Sequence, residues 1–564
     1  MTGARHPAGA HHPDGGPSAD GGPSMDGGPS TDGGWNTDDG RGTDGGRLPA
    51  GARTPVDDIL AHAARDPRAT AVVTPDTELS YGELADRIER LARVLVARGV
   101  GPEDVCAVAV ERGIDAVVAM AAVLRAGGAF LTLDVELPRP RLVSMTESGQ
   151  ARFLLTTDGL AHRLDLPVTG PTLLLDRLPA PAPAPDPDPD APRAPRAAGP
   201  RSLAYISHTS GSTGAPHAVM IERAGLGSYV RFVVRDYGLG PHTVAVQLAP
   251  LGYDASIRDI FAPLVAGGRL VLVDRARLLR ADTFAATLQE YGADTVLSTT
   301  PSLLTFLAQG PGAAGRLGGV RTVVSSGESL RPFLAAGGRA LLGGLLVNQY
   351  GPTECTMTST RYRVPAVPDT SADLIGTPID GVTVQVLDDA LRAVPDGEAG
   401  ELYIGGAGVA RGYRGLAALT AGRFLPDPSG PPGARMYRTG DLARRLPGGD
   451  LEYLGRSDRQ IKIRGHRVDP AEIEGALLTH PHITGAVVTA ETDDQGRTWL
   501  YAHVTGLSAG IRDAAVRAHL AATLPPHMLP RRFTRIDRLP VTRSGKTDRG
   551  TLARSAAPTA ERVS

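Results

Sequence analysis

The stretch LAYISHTSGSTGAPHAVM, running from Leu203 to Met220, decides how the rest of the chain is read. Its apolar start, 203–206, predicts a strand that runs into Thr209, Ser210, Gly211, Ser212, Thr213 and Gly214. Short hydroxyl residues and glycines at a strand end can turn successive backbone amides toward an anion, which makes a phosphate cradle. No Gly-Lys-Ser/Thr closes the loop, so it is not a Walker A sequence. A plain turn could carry the same residues, so the flanking segments must decide. Working outward, short apolar runs at 105–110, 129–133, 153–156, 244–248, 270–273, 295–297 and 322–324 are in many cases separated by helix-length segments. That is the pattern of a doubly wound parallel sheet. Ser80-Tyr-Gly-Glu83 reads as a capping box, and Leu84, Ile88, Leu91 and Leu95 follow on one helical stripe. After Asp458 the pattern becomes a hairpin-like pair at 486–490 and 498–504 and a helix around 511–524, which predicts a small α+β domain.

Composition bounds the class. The 564 residues exceed several times the usual ~100–150-residue domain, so at least two folding units are expected. The formal charge of −2 argues for neither nucleic acid nor an anionic membrane as partner. Two cysteines, Cys106 and Cys355, cannot build a disulfide framework and fit a reducing compartment. With no apolar leader and no run of ~18 apolar residues, a cytoplasmic location is expected. Residues 1–47 lack Val, Ile, Leu and Phe and repeat DGGPS from Asp14, Asp20 and Asp26, so 1–51 is expected to be a disordered tail. A core at 52–457 should carry a Pro-rich surface loop at 179–200. A C-terminal subdomain should follow at 458–556, with a second tail at 557–564. Only two of the 59 basic residues are lysines, Lys462 and Lys546. Arg replaces Lys poorly where a compact charge on a flexible stem is needed, so both are singled out as functional candidates.

Read in order, nine segments carry a family resemblance: LSYGEL at Leu79, LRAGGAFLTLD at Leu124, the Leu203 stretch, NQYGPTE at Asn348, GELYIGGAGVARGY at Gly400, YRTGDL at Tyr437, GRSDRQIKIRGHRVDPAEIE at Gly455, LPPHMLP at Leu524 and LPVTRSGKTDR at Leu539. They resemble the core motifs of nonribosomal peptide synthetase adenylation domains, in the superfamily that also holds acyl-CoA ligases and luciferases. The resemblance covers about residues 55–552. It implies an α/β fold: a large N-terminal domain of doubly wound sheets plus a small barrel, and a small α+β C-terminal domain on a hinge at Asp458.

The same resemblance implies the reaction and its residues. A carboxylate attacks the α-phosphate of ATP, giving acyl-adenylate and pyrophosphate. Glu354 matches the family's Mg²⁺-associated glutamate, a hard oxygen donor for a hard ion. Asp441 matches the ribose binder, Tyr350 the adenine-stacking ring, Asn348 a base-edge contact and Arg456 a ribose or phosphate contact, with Gly327, Gly351 and Tyr453 in the same nucleotide site. Lys546 matches the lysine that would touch the substrate carboxylate and the developing phosphate charge together. Thr213 and His217 complete the expected catalytic set. His217 is a departure, because Pro216-His217-Ala218 stands where the family usually has Pro-Lys-Gly. A mostly neutral imidazole weakens a charge clamp on the outer phosphates unless pyrophosphate raises its pKa, and either weaker ATP use or a compensating Arg follows. Thr132 and Tyr253 replace the usual proline and phenylalanine.

Asp254 matches the aspartate that pairs with a substrate α-ammonium group, which argues for an amino acid over a fatty or aryl acid. The other specificity positions carry over to Ala255, Arg258, Ser298, Val324, Ser326, Gln349, Met357 and Thr358, a polar set. Arg258 either faces inward and invites an acidic or strongly polar substrate, or turns outward or pairs with neighbouring Asp259. The expected activity is amino-acid adenylation by a free-standing enzyme of natural-product biosynthesis. The acyl group would go to a phosphopantetheine thiol on a separate carrier protein, and a small MbtH-like helper is an optional further partner. A CoA ligase of the same superfamily and a degenerate, non-catalytic nucleotide binder are the alternatives.

Overall fold

Nine consecutive residues, Ala116 to Leu124, are buried in the helix Ile114–Arg125, and all ten from Ser256 to Val265 are buried in the helix Ala255–Val265. A helix with no solvent-facing stripe belongs between layers. The computed structural model, which describes residues 53–178, 198–211, 215–309, 317–493, 497–508, 510–541 and 547–556, shows those layers to be two sheets. In the first, the parallel strands Leu203–Thr209, Ala129–Thr132, Val105–Ala109, Phe153–Thr156 and Thr172–Leu174 lie in that spatial order, with His217–Glu222 and Gly412–Tyr413 antiparallel at the other edge. In the second, Thr70–Val73, Arg269–Val271, Val244–Val246, Thr295–Thr299, Thr322–Ser326 and Leu345–Tyr350 run parallel in that order. Antiparallel strands continue this second sheet from Leu345–Tyr350 through Thr360–Val364 and Leu374–Pro378 to Leu451–Arg456.

The apolar runs therefore form strands, with ends that differ by at most two residues from the apolar stretches themselves. Ser80 caps the helix Tyr81–Ala97: its hydroxyl accepts the Glu83 N–H at 3.2 Å and Glu83 accepts the Ser80 N–H at 2.8 Å. Beyond Asp458 come a hairpin of Ile461–Ile463 and His466–Val468, a three-stranded sheet of Gly485–Thr492, Thr498–Thr505 and Arg532–Arg535, and the helices Pro470–Leu478 and Asp513–Ala521. These elements have their own core, built on Ile463, Val468, Ile473, Leu477, Val488, Leu500 and Phe533. That cluster takes no residue from before Ile461, which is what a separate small domain needs. Among the described residues no helix is long and apolar enough to cross a membrane. The expected tails at 1–51 and 557–564 lie outside the described residues, as do 179–197 of the Pro-rich loop.

Candidate active site

The two sides of the phosphate-loop candidate are paired strands, since Leu203–Thr209 pairs antiparallel with His217–Glu222 and Thr209 stands opposite His217. Ser212, Thr213 and Gly214 lie outside the described residues, and so does Lys546. Gly211 has no room for a side chain, because a Cβ there would overlap the Ala215 carbonyl oxygen and approach His217 Nε2. His217 is buried edge-on against Tyr413, ring centres 5.5 Å apart. Burial pushes its pKa below the ordinary value and the Glu354 carboxylate opposes that, so the ring is neutral at pH 7.

Glu354 sits on the turn Thr353–Cys355, just past the end of Leu345–Tyr350, and is only 1 % exposed. Tyr413 Oη donates to it at 2.8 Å, and Arg467 Nη1 lies 3.1 and 3.3 Å from its two oxygens. Burial pushes this carboxyl up, but Arg467 and the Tyr413 hydroxyl outweigh burial and hold it below the usual carboxylate range. Among the described residues no group of three or more His, Cys, Asp or Glu gathers to hold a metal. Glu354 still fits Mg²⁺: it is an ionised hard-oxygen donor near His217 at the end of the phosphate-loop candidate, and Mg²⁺ is commonly held by one or two carboxylates plus substrate phosphates.

The nucleotide-site candidates fall around Asp441 and around a recess that shares Tyr350 and Tyr453 with it. Tyr350 Oη donates to Asp441 at 2.5 Å, Arg456 Nη1 donates to it at 2.6 Å and Tyr453 Oη at 3.3 Å. The recess lies between Tyr350 and Tyr453 with Gly327 and Asn348 on its wall. Asn348 itself is turned to the Leu374 carbonyl, 2.8 Å away. Gly351 packs where a Cβ would fall 2.6 Å from Thr358 Cα. Lys462 is not a freely solvated hairpin lysine, for its Nζ lies 5.2 and 4.9 Å from the Tyr350 and Tyr453 ring centres. Arg456 also holds Asp458 at 2.6 and 2.8 Å, so the ribose candidate and the hinge candidate share one guanidinium.

A third cluster surrounds the helix Ala255–Val265. Arg258, 2 % exposed, faces inward: it donates to Tyr229 Oη at 3.0 Å, to Ser298 Oγ at 2.8 Å and to Gln349 Oε1. Asp259 is joined to it through the Ser298 hydroxyl and accepts the Leu248 and Ala249 N–H groups at 2.9 Å each. Thr358 bonds both Gln349, at 3.0 Å, and Tyr229, at 3.1 Å. Ser326 pairs in register with Gln349, and Val324 and Met357 are buried nearby in the core. Ala255 opens the helix directly after Asp254. The buried Oδ2 of Asp254 and Nε of Arg258 have no hydrogen-bond partner among the described residues. Burial raises the Asp254 pKa against the pull of Thr353 and Arg258, the condition of a carboxylate short of a cation.

The sequence pattern of residues 59–414 matches the family described as AMP-binding enzyme, and 472–546 matches the AMP-binding enzyme C-terminal domain. The chain belongs to the AMP-binding enzymes. This AMP-binding enzyme is 41% identical over 87% of its length to phosphinothricin tripeptide synthetase PhsC of Streptomyces viridochromogenes, covering 44% of that protein. It is 38% identical over 87% of its length to the probable non-canonical nonribosomal peptide synthetase CymA of Salinispora arenicola, covering 6% of it. The chain thus spans less than half the length of either relative. Among solved structures it resembles holo-PA1221, a nonribosomal peptide synthetase protein containing adenylation and PCP domains, with TM-score 0.77 and 28% identity over 89% of this chain and 84% of that one. Three residues of the site escaped the motif reading. Tyr413 and Arg467 lie inside segments already quoted, and their placement against Glu354 was the missing information. Tyr229 lies in no such segment.

Proposed function

We propose that this AMP-binding enzyme joins an amino-acid carboxylate to ATP and then passes the aminoacyl group to a carrier protein's phosphopantetheine thiol. The substrate carboxylate oxygen bonds to the α-phosphorus, the bond to the bridging oxygen breaks and pyrophosphate leaves. Attack by the thiol on the acyl carbon then releases AMP. Asp441 and Tyr350 would hold the ribose and adenine, and Arg456 would orient Asp441. Bound Mg²⁺ would neutralise charge on the phosphate oxygens, with Glu354 as its protein ligand. Lys546 would supply the cation between carboxylate and phosphate, and Asp458 the hinge about which the C-terminal elements move. The likeness to holo-PA1221, which contains adenylation and PCP domains, supports a carrier partner.

The unpartnered Asp254 Oδ2, close to the inward-facing Arg258, carries the amino-acid reading. An α-ammonium group supplies what Asp254 lacks, and a polar or acidic side chain supplies an acceptor for Arg258 Nε–H. The test is amino-acid-dependent ATP–pyrophosphate exchange over the proteinogenic set plus non-proteinogenic acidic and diamino acids. Exchange with a polar or acidic amino acid is expected. Exchange only with acids lacking an amino group removes the Asp254 assignment, and preference for Leu or Phe removes that of Arg258.

A further inference from the structure

Arg258 and Asp259 are neighbours on the helix Ala255–Val265, 2 % and 0 % exposed. Adjacent helical residues do not face each other, so the two charges meet through a third group. That group is Ser298, whose hydroxyl accepts from Arg258 Nη2 at 2.8 Å and donates to Asp259 Oδ1. Asp259 Oδ2 takes the Leu248 and Ala249 N–H groups at 2.9 Å each, so both of its oxygens are filled by donors. Burial raises the pKa of this carboxyl, and Arg258 leads the groups that oppose the rise. Arg258 Nη1 is used on Tyr229 and Gln349, both neutral, and Gln349 is itself tied to the Tyr237 hydroxyl. Among the described residues Arg258 Nε–H has no acceptor, and Asp254 Oδ2, four residues earlier on the same helical face, has no donor. A further cation, Arg112, lies across the 247–249 turn on the carbonyls of Gln247, Leu248 and Ala249, with Asp134 and Glu136 near it.

An amino acid whose α-ammonium group sits on Asp254 completes a balanced set, the ammonium against Asp254 and Arg258 against Asp259. We propose that Asp259 is the counter-ion of Arg258 and that it makes the pocket select a neutral side chain carrying a hydrogen-bond acceptor, an amide or a hydroxyl, over a carboxylate. This rests on the amino-acid reading above and narrows its substrate class. A neutral acceptor takes the free Arg258 Nε–H and leaves the buried charges cancelled. A carboxylate takes the same N–H but brings an unanswered negative charge toward Asp259, in a place where screening is poor. An ammonium side chain offers Arg258 no acceptor, and an apolar one leaves its Nε–H unsatisfied. Asp259 acts through Arg258 and Ser298, so it is a positioning residue.

The test is ATP–pyrophosphate exchange by the full chain, comparing kcat/KM for the best neutral, acceptor-bearing amino acid with that for the best acidic one, with Asn against Asp and Gln against Glu among the pairs. In the wild type the neutral amino acid should lead by about tenfold or more. Asp259→Asn keeps the shape and removes the charge, so that ratio should fall by about tenfold or more while the KM for ATP stays within about twofold. A merely structural role would lower both rates alike and leave the ratio where it was. An acidic amino acid that equals or outranks the neutral one in the wild type overturns the proposal. So does an unchanged ratio in Asp259→Asn, which would leave Asp259 bracing the 248–249 turn alone. Preference for a basic or apolar amino acid overturns it together with the Arg258 assignment. If the variant proves unfolded, the wild-type ratio decides alone. No exchange with any acid, or exchange only with acids lacking an amino group, overturns the reading beneath the proposal and the proposal with it, whereas exchange led by an acidic amino acid overturns the proposal alone.

Discussion

His217 is neutral where the resemblance leads one to expect a lysine, and burial against Tyr413 keeps it so. A charged hydrogen bond to phosphate contributes about 1.5–3 kcal/mol against roughly 1 for a neutral one. His217→Lys should therefore lower the KM for ATP by several-fold up to about tenfold in pyrophosphate exchange. Equal values would show that the cation is supplied elsewhere. The pocket residue Arg258 invites a different change. Its three partners, Tyr229, Ser298 and Gln349, are all neutral, and Asp259 stands one hydroxyl away. Arg258→Met keeps the length and removes the donors, so kcat/KM for the preferred polar amino acid should drop by about a hundredfold or more while apolar amino acids gain ground. A kinetic panel with unchanged ranking would mean that Arg258 only braces Gln349.

Elements built from neighbours in sequence were legible, and contacts between distant elements were not. The Ser80 cap and the helix behind it follow from four adjacent residues, and the strand Phe153–Thr156 matches its apolar run, because each depends on local pattern. The motif residues Tyr350, Tyr453 and Arg456 all hydrogen-bond Asp441, a meeting of three separate motifs. The pairing of Arg467 with Glu354 spans 113 residues, and nothing in either motif announces it. The inward turn of Arg258 was equally closed to inspection, since it depends on Tyr229 from another helix. One element-level contact is testable through backbone conformation. Gly327 has φ +90° and a Cβ there would fall 2.9 Å from Gly465 Cα, in the turn of the hairpin Ile461–Ile463 and His466–Val468. Gly327→Ala adds about 1–2 kcal/mol of left-handed strain and pushes on that turn. Faster hydrogen exchange should appear at 461–469 with the Thr322–Ser326 strand unaffected. Exchange raised equally across the sheet would show that the residue serves the core instead.

At the scale of the whole molecule, the elements after Asp458 are held on the core by contacts that acid should weaken. His466 packs at a tilt against Tyr253 of the core, ring centres 4.5 Å apart, and stacks on His527 at 4.0 Å. Burial, with Arg275 and Arg464 adding to it, lowers the His466 pKa to about 4, and burial, His466, Arg141 and Arg464 lower that of His527 to about 2. Above the ordinary value of ~6.5 both imidazoles are neutral folded or unfolded, so pH has no purchase on them. Below it the unfolded chain takes up the protons and the folded one does not, so stability falls as pH drops from 6.5 toward the folded values. By pH 5 each ring contributes a loss on the order of 2 kcal/mol, from a gap of about 1.5 units at 1.36 kcal/mol per unit. His527→Gln removes one such proton while retaining a polar side chain. The fall in unfolding free energy between pH 7 and pH 5, measured by urea titration, should be smaller in the variant by about that amount. An identical pH slope would mean that His527 is reached by solvent in the folded state. Glu472 cannot supply that acid sensitivity, because burial raises its pKa even with Arg141 2.5 Å away, so protonating it favours the folded chain.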